Sequence, residues 1–279
     1  MYLNGIMFIS SILNFITAQF DEGNDLPSIL FLPTYTATAR YHHKLSDDRQ
    51  VDLEKAVAEA RDFALNEDTL ALMKGNALME EERQQIIDKL AALTGLSKTY
   101  NEGTNLRINI HRFCKELLRE HGLTVGRLDS RYTGFDHDSV GEVHEVDPSY
   151  TAILGHYTAT NYLRSELGYE TDLPYEVLTS LYQTWKYEEY QNHYVNTAAD
   201  LRQGFQYHPG LKVIVCNGYY DLAIPLLATK YTFNHIPLPE AQQRNIQMKY
   251  YPAGHMMYLH LPSLEKVSED LHAFIMEAK

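Results

Sequence analysis

Apolar and polar positions divide the chain into three zones with different periods. The first zone, up to about His43, opens with the run Leu3-Asn4-Gly5-Ile6-Met7-Phe8-Ile9, which suits a fully buried parallel strand. It continues through Leu30-Phe31-Leu32-Pro33 into a helix predicted over Thr34 to His43.

The second zone, roughly residues 46–190, has the helical period. Asp47 or Asp48 is expected to cap a helix with Val51, Ala56, Val57, Ala60, Phe63 and Ala64 on one face. Glu80-Glu81-Glu82 place acids at the positive end of a second helix with Ile86, Ile87, Leu90 and Leu93 on its apolar side, and Gly95 stops it. Ile108, Ile110, Phe113, Cys114, Leu117 and Leu118 form a third apolar face, closed by Gly122. Residues 126–148 read as an acidic loop, and helical patterns return around 150–167 and 175–190.

The third zone alternates strand and helix. Lys212-Val213-Ile214-Val215-Cys216 reads as a buried strand ending at Asn217-Gly218, followed by a helical piece near Ala223–Phe233. Met248-Lys249-Tyr250-Tyr251 reads as another strand, ending at Pro252-Ala253-Gly254. A last helix begins at Pro262-Ser263, with Leu264, Val267, Leu271, Phe274 and Ile275 expected to face inward. The fold class is α/β, divided into a first core part (1–45), a mainly helical insertion that caps it (46–195) and a second core part (196–279).

Composition narrows the function classes. A net charge of −13, with no Lys/Arg-rich run, argues against nucleic acid as a partner. The apolar stretch Ile6 to Phe20 is broken by Ser10, Ser11, Asn14, Thr17 and Gln19, so no membrane span is expected. It also lacks the basic start of a signal peptide, because the first Lys or Arg is Arg40. The two cysteines, Cys114 and Cys216, read as separate buried thiols. Asp136-His137-Asp138 with His144-Glu145 reads as a solvated acidic loop, because no rigid i, i+4 spacing supports a metal site. Tyr182, Trp185, Tyr187, Tyr190 and Tyr194 read as helix packing before they read as a peptide cleft. His42, His43 and His260 have no partner legible in the sequence.

In open α/β sheets chemistry gathers at the carboxyl ends of strands, which singles out Asn217 to Asp221 and Ala253 to Met257. Asp221 and His255 follow the order acid then base. A histidine at such a position takes a proton from a nucleophile and returns it to the leaving group, while the carboxylate fixes its tautomer.

These segments carry a resemblance. Gly218-Tyr219-Tyr220-Asp221 with Ile224-Pro225, and Gly254-His255-Met256, resemble the acid and base segments of the serine carboxypeptidase (cathepsin A-like) family of α/β-hydrolases. Leu3-Asn4-Gly5-Ile6-Met7, Leu32-Pro33-Thr34-Tyr35 with Tyr41-His42, and the segment Val125 to Gly134 are similar to bacterial members. The resemblance implies a partial α/β-hydrolase sheet with a helical cap, hydrolytic release of C-terminal residues from a peptide substrate, and no cofactor. It implies Asp221 and His255 as catalytic residues and Met256 beside the pocket of the leaving residue. Family members are often secreted or periplasmic, with the signal upstream.

The chain departs from the family at the nucleophile. Its twelve serines include none with glycine two residues before and two after: Ser97 has Gly95 but Thr99, and Ser139 has Gly141 but His137. Ser10 and Ser11 follow the first strand, but a strand end alone does not make a strained elbow. The family's elbow and oxyanion hole lie upstream of the segment that Leu3–Ile9 resembles, so the expectation is a chain truncated before its first strand and inactive by itself. The alternatives are a complementing subunit that meets a missing N-terminal segment, and a peptide-binding pseudoenzyme.

Overall fold

The computed structural model describes residues 3–143, 147–150, 157–173 and 180–278. Its strands are β1 (Gly5–Ile9), β2 (Leu123–Val125), β3 (Thr133–Phe135), β4 (Lys212–Gly218) and β5 (Ile246–Tyr251). β1, β4 and β5 form a parallel sheet in the order β1-β4-β5, with Gly5 opposite Lys212 and Val213 opposite Ile246. β2 and β3 make a small antiparallel ribbon, of which β3 lies inside the segment 126–148 expected to be loop. The mixed α and β content agrees with the α/β expectation, and the mainly helical residues 26–207 lie between β1 and β4 in the chain.

β4 is the central strand, and its alternation builds two cores. Val213 and Val215 pack with Phe205, Leu211, Phe233 and Ile236 on one face. Ile214 and Cys216 pack with Tyr251, Val267 and Phe274 on the other, which the helix Leu261–Glu277 covers. β1 corrects the sequence reading: it is a half-exposed edge strand with Met7 open to solvent, not one buried on both faces. An apolar run identifies a strand, but its burial depends on its neighbours, and among the described residues only β4 pairs with β1.

The helix Leu32–Tyr41 forms the hinge between sheet and helical region. Thr34, Thr36 and Thr38 are buried in its interior, and the hydroxyls of Thr36 and Thr38 donate to the carbonyls of Leu32 and Thr34. Back-bonding of this kind lets polar residues sit inside a helix packed on several sides. Around it stand the helices Leu53–Phe63 and Glu80–Thr94. The second carries Ile86, Ile87, Leu90 and Leu93 inward as expected and stops at Gly95, whose φ of 71° is left-handed. The third apolar face is also as read, on the helix Ile110–Glu116 with Gly122 at φ 66° beyond it.

Several boundaries differ. Asp52, not Asp47 or Asp48, caps Leu53–Phe63, accepting from the Lys55 N–H at 3.1 Å, so Val51 lies outside that helix and is 80% exposed. Pro27 and Pro33 each sit in a helix's first turn, so helix begins before Thr34. In Leu261–Glu277 the inward face is Ser263, Val267, Asp270 and Phe274, while Leu264 and Ile275 are exposed. Asp270 earns its buried place by accepting from the Tyr251 hydroxyl at 3.0 Å and pairing with Lys249 and Lys266. Cys114 and Cys216 are both free and buried. Among the described residues no helix is long and apolar enough to cross a membrane.

Asp68 closes a π-helical turn, Ala64–Asp68, with its carboxyl buried and one oxygen unpartnered. Burial raises its pKa from 3.8 to about 8, opposed by Arg107 and assisted by Asp25. The folded form therefore holds a proton that the unfolded chain has released. Stability from this group is full below about pH 4 and is lost as pH rises toward 8. Replacing Asp68 with Asn should remove that decline, so the variant's Tm advantage over the parent grows by about 5 °C between pH 5 and pH 8, read by thermal denaturation. An unchanged difference would contradict the buried, protonated acid.

Candidate functional site

The parallel ladder between β4 and β5 does not stop at their ends. The Tyr219 N–H donates to the Tyr251 carbonyl at 2.9 Å and the Tyr220 N–H to the Ala253 carbonyl at 3.0 Å. The two strand-end loops thus run side by side and bring Asp221 against His255.

Asp221 is fully buried. Its Oδ1 accepts from the Ala223 and Ile224 N–H groups at 2.8 and 2.9 Å, and its Oδ2 lies 2.9 Å from His255 Nδ1. An ionised carboxylate only accepts, so Nδ1 carries the proton and, in the neutral imidazole, Nε2 holds a lone pair. Nε2 has no hydrogen-bond partner among the described residues, and the half-buried imidazole keeps an open side. The pair can therefore orient a base and stabilise the imidazolium that forms when it takes a proton.

Burial pulls the His255 pKa down, but the adjacent Asp221 charge and its hydrogen bond outweigh burial and leave it raised above 6.5; the Arg127 guanidinium acts weakly against them. A raised histidine pKa means that the pairing contributes stability below the unfolded value of 6.5 and loses it as pH climbs through the folded value.

A third segment, residues 126–131, holds both loops. Its Arg127 carbonyl accepts from the Leu222 N–H at 3.0 Å, and its Leu128 carbonyl from the His255 N–H at 2.6 Å. The Ser130 N–H donates to the Tyr220 carbonyl at 3.0 Å, and Arg131 reaches the Pro252 carbonyl at 3.0 Å while gripping Asp129 with two nitrogens. Ser130 is itself tied to the Leu32–Tyr41 helix: its hydroxyl meets Thr38 at 2.6 Å, and its carbonyl accepts from His42 Nε2 at 2.6 Å. Burial lowers the His42 pKa despite that bond, which favours the neutral imidazole.

Two glycines make this contact feasible. A Cβ on Gly218 would overlap the carbonyl oxygens of Ala253 and Gly254, and one on Gly254 would overlap Asp129 and the Leu128 carbonyl. The glycines of the two quoted motifs are thus explained by close backbone approach.

The remaining candidates fall as follows. Met256 is half-buried beside His255, its carbonyl accepting from the Leu259 N–H at 3.0 Å, and no described contact defines a pocket for it. Asp136 is bound by buried Lys115 at 2.8 Å, Asp138 accepts from the Val140 and Gly141 N–H groups, and His144 and Glu145 lie outside the described residues. Trp185 is 67% exposed and Tyr187 is exposed too, in the irregular stretch between two short 3-10 turns, so this part of the aromatic series does not pack as an amphipathic helix; the Tyr182 side chain lies outside the description. All three histidines without a legible partner have one: His42 as above, His43 with Gln50 at 3.3 Å, and His260 with Ser263 at 2.8 Å. Sequence reasoning missed residues 126–131 as a support for the site, because they act mostly through main-chain groups that any residue type carries.

No protein family, curated protein or solved structure matches the chain.

Two outcomes follow from this geometry. Asp221→Asn should lower the His255 pKa, read by NMR titration of the imidazole, since the cost of burial then acts without its compensating charge. Gly218→Ala or Gly254→Ala should each lower unfolding free energy by about 1–3 kcal/mol in denaturant titrations, as forced overpacking does.

Proposed function

We propose that Asp221 and His255 are the acid and base of a serine carboxypeptidase-type peptide hydrolase of the α/β-hydrolase class, working on a nucleophile that this chain's own serines do not supply. The observation that carries the reading is the 2.9 Å contact between a buried carboxylate and an imidazole whose second nitrogen stays open. The loops follow neighbouring parallel strands in the order acid then base, which supports the same class.

The chemistry assigns each group one task. Nε2 takes the proton of a serine hydroxyl as its oxygen attacks the carbonyl of the last peptide bond. The imidazolium, held by Asp221, returns the proton to the departing amino acid's nitrogen and leaves an acyl-enzyme. A water then repeats the sequence, and the free carboxylate product and the serine are released. No metal or organic cofactor has a part in these steps, and the substrate is a peptide with a free C-terminus.

The nucleophile is the part that the described residues do not provide. No serine hydroxyl among them bonds His255 Nε2, and the nearest in the hydrogen-bond network, Ser10 Oγ, donates instead to the His255 main-chain carbonyl at 2.6 Å. The same observation favours a second reading, a peptide-binding module that does not cleave.

A fluorophosphonate probe and an N-blocked dipeptide separate these readings. The purified chain by itself should take no label and release no amino acid. Joined to an elbow-bearing segment of a bacterial serine carboxypeptidase, it should gain both, and Asp221→Asn should then cut kcat by about four orders of magnitude. Stoichiometric labelling of the chain alone would overturn the missing nucleophile. Peptide binding with no hydrolysis in the joined form would favour the non-catalytic module.

A further inference from the structure

Ser10 stands one residue beyond β1, 245 positions from the base loop, and touches it. It is 8% exposed, and its φ of 46° lies in the left-handed region that a non-glycine residue enters at a cost. Its N–H donates to the Cys216 carbonyl at 2.9 Å, one step past the last paired residue of the sheet. Its hydroxyl donates to the His255 carbonyl at 2.6 Å.

His255 is thereby held at three points. Its N–H is fixed by the Leu128 carbonyl at 2.6 Å, its carbonyl by Ser10, and its Nδ1 by Asp221 at 2.9 Å. Two of the three anchor the main chain on either side of the Cα, which fixes the origin and direction of the side chain. Only the third acts on the ring. A base loop that ends in a 3-10 turn, Met257–Leu259, has few regular backbone bonds of its own to do this.

We propose that Ser10 is a positioning residue for His255: its buried hydroxyl, turned inward by a left-handed backbone, pins the base loop so that Nδ1 stays on Asp221 and Nε2 stays open to a reacting group. The inference rests on the reading of Asp221 and His255 as an acid–base pair. It assigns the strain at the end of β1 to orientation of the base and not to presentation of a nucleophile, because a hydroxyl committed to a carbonyl is not hydrogen-bonded to Nε2.

Substitutions at Ser10 separate the hydroxyl from the backbone. Ser10→Gly accepts the positive φ without strain and removes the hydroxyl together with its Cβ. Ser10→Asn tolerates the same backbone and restores a donor. The readout is the His255 imidazole by NMR: its pKa, to which Asp221 and Arg127 are the charged contributors, and the position of the Nδ1 proton in the hydrogen bond to Asp221. Ser10→Gly should lower the pKa and move the Nδ1 proton signal upfield, and Ser10→Asn should recover part of both changes. Ser10→Gly with the same global stability but an unmoved imidazole overturns the positioning role, as does covalent labelling of Ser10 by a fluorophosphonate. Asp221→Asn serves as the control. If it leaves the His255 pKa unchanged, the acid–base pair itself fails, whatever Ser10 does.

Discussion

The organisation of the site depends on where the backbone bonds at the ends of β4 and β5 are satisfied. A parallel strand that leaves its sheet carries N–H and C=O groups that must find partners once buried. Here the acid loop pairs with the base loop, and the Arg127, Leu128 and Ser130 main chains take bonds that neither loop can complete. Three backbone segments at such close range leave no volume for a side chain at Gly218 or Gly254. The carboxylate–imidazole contact is a consequence of this stitching more than its cause, since Asp221 Oδ1 is already saturated by the N–H groups of Ala223 and Ile224.

Through Ser130 the stitching reaches the helical region. Thr38 and His42 of the Leu32–Tyr41 helix hold Ser130, and that helix lies against Leu53–Phe63 and Glu80–Thr94. Thr36 and Thr38 are consistent with this role, because each hydroxyl bonds a carbonyl one turn back and Thr38 still has a lone pair for the Ser130 hydroxyl. The helical region thus contributes to the geometry of the acid and base loops. Chemistry at the strand ends and packing in the insertion are linked by one short polar chain from Thr38 to Tyr220.

What was legible in the sequence follows the physics of each element. β4 and β5 were read from apolar runs ending in Gly or Pro, and Asp221 and His255 from their places just past those ends. The exposure of β1 was not legible, because the run Gly5–Ile9 resembles β4 in composition while one of its edges has no neighbouring strand among the described residues. The inward face of Leu261–Glu277 departs from the sequence reading in part for a related reason: Leu264 and Ile275 look like core, but Asp270 is carried inside by Tyr251 and Lys249 of β5, with Lys266 one turn back on its own helix. Asp52 displaced Asp47 as a cap since three acids within six residues offer alternatives that only the backbone geometry decides. The support from residues 126–131 left no mark beyond Gly254 in the quoted motifs, because most of its work is done by main-chain groups.

The same distinction between position and chemistry governs Ser10. From the sequence it is a serine after a strand, and strain there was not foreseen; its φ of 46° is the conformation that a tight strand-end turn demands. In a nucleophile elbow such strain would turn the hydroxyl outward to the base. Here the hydroxyl is buried against the His255 carbonyl, so the same backbone feature serves the opposite end of the histidine residue. The ring then meets Asp221 with its protonated nitrogen and leaves the other without a hydrogen-bond partner among the described residues. Asp221 keeps the imidazole's pKa raised despite burial, and a raised pKa has a cost for a base: below it Nε2 is already protonated. Acceptance of a proton by this histidine is therefore confined to pH above its folded pKa. The compensating gain is the stabilised imidazolium, which matters only once a hydroxyl has been brought to the open side of the ring.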